Sequence, residues 1–188
     1  KAAGKDALKG NRDVRVETDG DGSGPAIHWS GDGRNVAVLL RAVDNKDRWI
    51  ATVDFAQAAL QPRHHLHDDA WINWAFNDFG WLPDDRTLWL LSEESGYAHL
   101  YTVDVAAGGK PRALTSGRWE VSSPVPSADG RRFFFLCNRQ WPGRHDVCAV
   151  DARGSGLAEV TRSGGVEDFV LSPDGSRLLL RTSSAYVP

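Results

Sequence analysis

One pattern is written three times in this chain: a turn carrying an aspartate, a run of apolar residues, a polar hairpin, and a second strand that closes on an aspartate. The copies run from Trp29-Ser30-Gly31-Asp32-Gly33-Arg34 to Thr52-Val53-Asp54, from Trp81-Leu82-Pro83-Asp84-Asp85-Arg86 to Thr102-Val103-Asp104, and from Pro126-Ser127-Ala128-Asp129-Gly130-Arg131 to Ala149-Val150-Asp151. A fourth opens at Leu171-Ser172-Pro173-Asp174-Gly175-Ser176 and is cut off at Pro188. The turn aspartates Asp32, Asp84, Asp129 and Asp174 recur every 45 to 52 residues. A period of about 45 residues built from short strands belongs to β-propeller blades. A blade cannot cover both of its own faces, so stacking against neighbours must supply the core. The expected fold is all-β: a partial β-propeller of about four four-stranded antiparallel blades over 12–188. The repeats fall at about 26–70, 71–117, 118–165 and an incomplete 166–188, behind a mobile leader at 1–11.

The strands follow from the local patterns. Val14, Val16 and Thr18 alternate with charged residues, as in a half-buried strand. Ile27-His28-Trp29 enters the first full blade, further strands are expected at Val36–Leu40, Trp49–Val53, Thr87–Leu91, His99–Val103, Phe133–Asn138 and Val147–Val150, and Arg63–His67 begins an outer strand. The innermost strand of each later blade is expected before its turn, at Trp71–Phe76, Trp119–Ser123 and Val166–Val170. Phe133-Phe134-Phe135-Leu136 and Leu178-Leu179-Leu180 are continuous apolar runs, the mark of strands covered on both faces. No stretch long enough for a stable helix carries a 3.6-residue apolar stripe.

The 188 residues include 41% hydrophobic and 25% charged side chains, ordinary for a soluble globular chain. A net charge of −3 gives no basic footprint for nucleic acid or an anionic membrane. Nothing approaches the roughly 18 continuous apolar residues of a membrane helix. The chain starts at Lys1 without an initiator and stops inside a repeat, so it reads as a piece of a longer protein. An isolated arc would leave its two outermost blade faces wet, inviting dimerisation, ring completion by a second copy, or aggregation.

Cys137 and Cys148 are the only cysteines. If Pro142 and Gly143 between them form a two-residue turn, the hairpin register sets the two sulfurs directly opposite on one face, near disulfide range. Two buried free thiols remain the other reading. A bridge would favour a periplasmic or secreted parent, and free thiols a cytoplasmic one.

Leu91-Ser92-Glu93-Glu94-Ser95-Gly96-Tyr97-Ala98-His99-Leu100-Tyr101, followed by Leu114-Thr115-Ser116-Gly117-Arg118-Trp119-Glu120-Val121, resembles the propeller of the dipeptidyl peptidase IV branch of the prolyl oligopeptidase family. That resemblance implies a two-part serine peptidase in which the propeller gates and positions peptide substrates, while a C-terminal α/β-hydrolase domain carries the Ser, Asp and His. No Gly-x-Ser-x-Gly nucleophile elbow occurs in this chain, so no catalytic residue is assigned to it. It also implies that the entry to the second blade faces the substrate cavity, making Phe76, Asn77 and Asp78 the candidate substrate-binding residues. Well-known members carry a basic residue about where Asn77 stands. The paired glutamates that anchor a substrate amine in the family occupy a different place from Glu93-Glu94, which read as carboxylates on a hairpin tip. The rival reading is a TolB-like protein-interaction propeller with no peptidase activity.

The other candidate sites have plainer explanations. Trp71, Trp74 and Trp81 read as blade-packing core. Asp19-Gly20-Asp21-Gly22-Ser23-Gly24 begins like a calcium loop, but its twelfth position is Ser30 where a bidentate Glu is required, so a turn is expected. His65 and His67 share a strand face, yet two ligands are not a zinc site and spacing suggests no third. No cofactor or metal is assigned. The turn aspartates are expected to accept N–H bonds within their own turns.

Overall fold

In the computed structural model, which describes residues 13–19 and 23–183, every regular element among those residues is a strand. The first sheet contains β1 (Val14–Val16), β2 (Ile27–Trp29), β3 (Val36–Ala42), β4 (Asp47–Asp54) and β5 (Ala59–His67), in the order β1-β3-β4-β5 with β2 also on β3. The second is β6 (Phe79–Trp81), β7 (Thr87–Ser92), β8 (His99–Asp104) and β9 (Arg112–Ala113) in sequence order. The third is β10 (Val121–Pro126), β11 (Arg132–Trp141), β12 (Arg144–Asp151) and β13 (Ala158–Glu159), again in sequence order. A hairpin of β14 (Val166–Leu171) and β15 (Leu178–Thr182) forms the last. The chain is thus all-β, a partial β-propeller. It divides into two compact units: one comprises the chain to Leu90 together with Val103–Arg112, and the other comprises Leu91–Thr102 and the chain from Ala113 on. The leader at 1–11 and the centre of the calcium-like stretch lie outside the described residues.

Both β1 and β2 lie along one edge of β3, with Val16 opposite Leu40 and Ile27 opposite Val38. The innermost strand of the first blade is therefore made of two pieces, and the excursion between them is closed by the Thr18–Pro25 bridge. Val16 and Thr18 are exposed, so the expected half-buried alternation holds only at Val14. One face of this sheet packs Val36, Val38, Leu40, Ala42, Trp49 and Ala51 together. In the second unit Phe134, Leu136, Val147 and Ala149 pack with Val166 and Phe169 of β14. The triple-Phe run is buried throughout. The triple-Leu run is not: Leu179 is 74% exposed, because it points away from the face that meets β11 and β12.

Two innermost strands are displaced from their expected places. Trp71–Phe76 forms no strand: the Asp68 carboxylate accepts the N–H groups of Ala70 and Trp71 and the Asn73 side-chain amide oxygen accepts that of Ala75, turning the chain locally, and pairing begins only at Phe79. The strand expected from Trp119 begins at Val121. Trp119 instead donates its indole N–H to Ser116 O at 2.9 Å, and the pairing of β10 with β11 is interrupted between Ser122 and Val125, where Ser123 has a φ of 50°.

Each turn aspartate accepts an N–H two residues on, at 3.0 Å from Arg34, Arg86 and Arg131 and 3.1 Å from Ser176. The next residue adopts a left-handed backbone, supplied by Gly33, Gly130 and Gly175; the second blade places Asp85 there at φ 56°. The strain of a side chain in this region is offset because Asp85 Oδ1 accepts the Asp32 N–H of the neighbouring turn at 3.1 Å, and Asp85 O accepts Asn35 Nδ2 at 3.1 Å. Asp85→Ala keeps the strain and loses the carboxylate bond, so stability should fall by about 1–2 kcal/mol. Asp85→Gly loses the same bond but relieves the backbone, so urea melts should show a smaller fall. Equal losses in the two variants would contradict this account.

Cys137 and Cys148 are joined as a disulfide, with Cα atoms 5.9 Å apart. Their pairing is not the directly opposed one. Pro142-Gly143 does form the turn, with Trp141 opposite Arg144, but a bulge shifts the register so that Cys137 lies opposite Asp146 and Cys148 opposite Phe135. A shift of two residues leaves both sulfurs on the same face, so the bond spans a diagonal.

Candidate functional site

The segment Asp68–Asp78 runs across the hairpin end of the first sheet. Its backbone is tied there by Asp68 N–H to Lys46 O at 3.0 Å and Ile72 N–H to Asn45 O at 2.9 Å. Two arginines hold it from beneath. Arg41 of β3 and Arg48 of β4 are cross-strand partners and share a face. The Arg41 guanidinium lies 4.4 Å from the Trp74 ring centroid, donates to Glu17 Oε2 at 2.9 Å and to Asn45 Oδ1 at 2.6 Å. Arg48, only 1% exposed, donates from Nη1 to Phe76 O at 2.7 Å and to Asn77 Oδ1 at 2.9 Å. Two like charges tolerate this proximity because each is spent on its own acceptors.

These contacts fix the candidate residues. Asn77 accepts from Arg48 and donates its Nδ2 to Trp74 O at 3.1 Å, so its amide orientation is set from both ends. Asp78 follows, and burial raises its pKa above the ordinary carboxylate value against the opposing pull of its own backbone N–H. Phe79 then enters β6, stacked on His28 with ring centroids 4.3 Å apart, and His28 Nε2 bonds Asp19 Oδ2 at 2.9 Å. Phe76, Asn77 and Asp78 are all half-buried. The segment offers an aromatic ring, an amide and a carboxyl on a rigid backbone, a set suited to binding. Trp71 is a correction to the core reading: it is 63% exposed, since the turn at Asp68 carries it outward. Trp81 is half-buried with its indole N–H on His28 O at 3.0 Å.

Neither arginine was singled out from the sequence. The available signal was a charged residue beside each apolar strand core, at Leu39-Leu40-Arg41 and Arg48-Trp49-Ile50, which a strand buried on both faces accommodates only with internal partners.

The remaining candidates have these contacts. His65 Nε2 and His67 Nδ1 both lie 2.8 Å from Asp47 Oδ1, and the Asp47 and Asp69 hydrogen bonds raise the His67 pKa. Asp47 faces His67 across the strands, a neighbour that spacing along β5 could not reveal. Among the described residues no group of three or more His, Cys, Asp or Glu is placed to hold a metal. Glu93 opens the hairpin tip, where its carbonyl accepts the Gly96 N–H at 2.8 Å. The two stretches that carry the resemblance meet here: buried His99 of the first bonds Thr115 Oγ1 of the second through Nδ1 and Gly117 O through Nε2, each at 3.0 Å, and meets Trp119 edge-on. A carbonyl can only accept, so Nε2 carries the proton; burial lowers the His99 pKa and keeps the ring neutral. Gly117, at φ 131°, leaves room for Trp119, whose Nε1 would stand 2.5 Å from any Cβ placed there. The spacing of His, Thr, Gly and Trp is thus a packing requirement.

The family described as "Dipeptidyl peptidase IV (DPP IV) N-terminal region" matches residues 10–188. Over 76 residues the chain is 40% identical to a protein of Aspergillus clavatus named "Probable dipeptidyl peptidase 4", a match covering 38% of this chain and 10% of that protein. Among solved structures, one described as a dipeptidyl aminopeptidase IV from Bacteroides ovatus superposes with a TM-score of 0.73 at 17% identity, covering 92% of this chain and 26% of that one. Porphyromonas gingivalis dipeptidyl peptidase 4 gives a TM-score of 0.72 at 21% identity, covering 92% and 23%. The chain spans about a quarter of the length of those two structures and about a tenth of the fungal protein. Among the described residues no helix is long and apolar enough to cross a membrane.

Proposed function

This chain belongs to the dipeptidyl peptidase IV N-terminal region family, and from that membership we propose that it is the non-catalytic propeller segment of a serine exopeptidase. In that role it gates and positions peptide substrates for a hydrolase domain elsewhere in the longer protein. The observation that carries the proposal is the fixed Phe76–Asp78 segment. A wall that selects substrates must hold its contact groups before substrate arrives; here Arg48 bonds Phe76 O and Asn77 Oδ1, and Arg41 lies against Trp74, whose carbonyl accepts from Asn77. Phe76 supplies apolar contact and Asn77 a polar one. Acyl transfer is assigned to the hydrolase domain, so the effects of these residues belong to binding.

The test is kinetic and uses the full-length parent with a dipeptidyl chromogenic substrate. Phe76→Ala should raise KM about tenfold, the equivalent of losing part of one buried ring. Asn77→Ala should raise it about threefold to tenfold, with kcat within about twofold of the parent in both. Unchanged KM in both variants would remove the substrate-wall role. A parent sequence with no Gly-x-Ser-x-Gly between a strand and a helix beyond Pro188 would remove the peptidase assignment itself.

A further inference from the structure

In the third sheet, Arg139 and Arg144, on the two strands of the β11–β12 hairpin, and Arg162, after β13, surround a cleft of about 90 Å³ with Gln140, Ser163 and Gly164. The carboxylates in its lining are already engaged. Asp146 Oδ1 accepts Thr161 Oγ1 at 2.7 Å and the Ser163 N–H at 2.8 Å, and Oδ2 accepts the Gly164 N–H at 3.0 Å. Glu159 Oε2 accepts Gln140 Nε2 at 3.0 Å and lies 3.9 Å from Arg162 Nε.

Two of the arginines, Arg139 and Arg144, are exposed and have no carboxylate partner among the described residues. The Arg139 guanidinium lies 5.5 Å from the Trp119 ring centroid. A cation–π contact of this kind uses no oxygen acceptor. The stem of Arg144 lies against Gly164, where a Cβ would stand 3.2 Å from Arg144 Cδ. We infer that this cleft is an oxyanion site, taking one carboxylate or phosphate group on the guanidinium edges of Arg139, Arg144 and Arg162. Three positive and two negative side chains line it, so a single monoanion brings it to neutrality. Its volume suits a group of a few heavy atoms, since a water occupies about 30 Å³ of liquid. Guanidinium edges match the paired oxygens of either group.

Amide and arginine Nε NMR spectra of the 188-residue chain test this, with sodium phosphate and N-acetyl-glutamate amide titrated separately at ionic strength held constant by sodium chloride. Saturable shifts should centre on Ser163, Gly164 and the Nε–H groups of Arg139 and Arg144, with Kd on the order of 1 mM. Arg144→Gln should weaken binding about tenfold, while Arg177→Gln, outside the lining, leaves it unchanged. Arg162→Gln provides a second loss should Arg144→Gln disturb the hairpin. Saturation by only one anion supports the site and identifies its source as phosphate or a peptide carboxylate. Shifts that never saturate, or that weaken equally in Arg177→Gln and Arg144→Gln, overturn it.

Discussion

Phe135→Ala will lower the unfolding free energy by about 3–5 kcal/mol, moving the urea midpoint down by roughly 1.5–2.5 M if m is near 2 kcal/mol/M. Phe135 is fully buried and stacks with Trp119 at 6.4 Å, on the opposite face of β11 from the Phe134–Leu136 cluster. A strand covered on both faces cannot relax into the space left by a deleted ring without dragging one of its two contacts. Most of the cavity therefore persists, and the cost lies at the upper end of core truncations. Leu179→Ala is the matched control, from the second continuous apolar run. Its side chain is largely in water, so its change should stay within about 0.5 kcal/mol of the parent. Similar losses at the two positions would mean that the burial pattern of β11 and β15 is wrong.

The contrast between those positions shows what the sequence could and could not reveal. The repeat, the turn aspartates and the paired central strands were legible, because each is a local pattern: an Asx turn, a positive-φ glycine, a run of apolar residues. Two identical-looking apolar runs differ in burial, because the neighbour that covers one of them is a property of the fold. The innermost strand at 71–76 was misplaced for a related reason. Its aromatic content resembles a strand, but Asp68 and Asn73 satisfy the backbone locally, and residues from distant strands complete the rest. The cysteine register failed at a bulge, which inserts or removes pairing without changing which residues are apolar. At the candidate site, Phe76, Asn77 and Asp78 were named through a resemblance, whereas the groups that fix them, Arg41 and Arg48, lie about 30 residues upstream and become neighbours only when β3 and β4 pair.

That dependence on Arg48 leads to the second large effect. Arg48→Ala should destabilise the first unit by about 3 kcal/mol, because it removes a buried charged donor from two acceptors and leaves Phe76 O without its partner. Volume and hydrogen bonding can be separated by a second substitution. Arg48→Met keeps most of the side chain's bulk but donates nothing, so it should recover part of the packing loss while leaving the Phe76–Asp78 backbone as loose as in the alanine variant. Arg48→Lys keeps the charge but offers a single ammonium in place of the planar fork, and should fall between parent and methionine. Hydrogen exchange provides the readout that global stability does not: amides at Ala75 to Asp78 should lose protection in both Ala and Met variants by more than those of β3 and β4 do. If protection falls evenly over the whole sheet, Arg48 is a packing residue alone. The segment would then need another explanation for its order, and the positioned wall proposed for peptide substrates would lose its support.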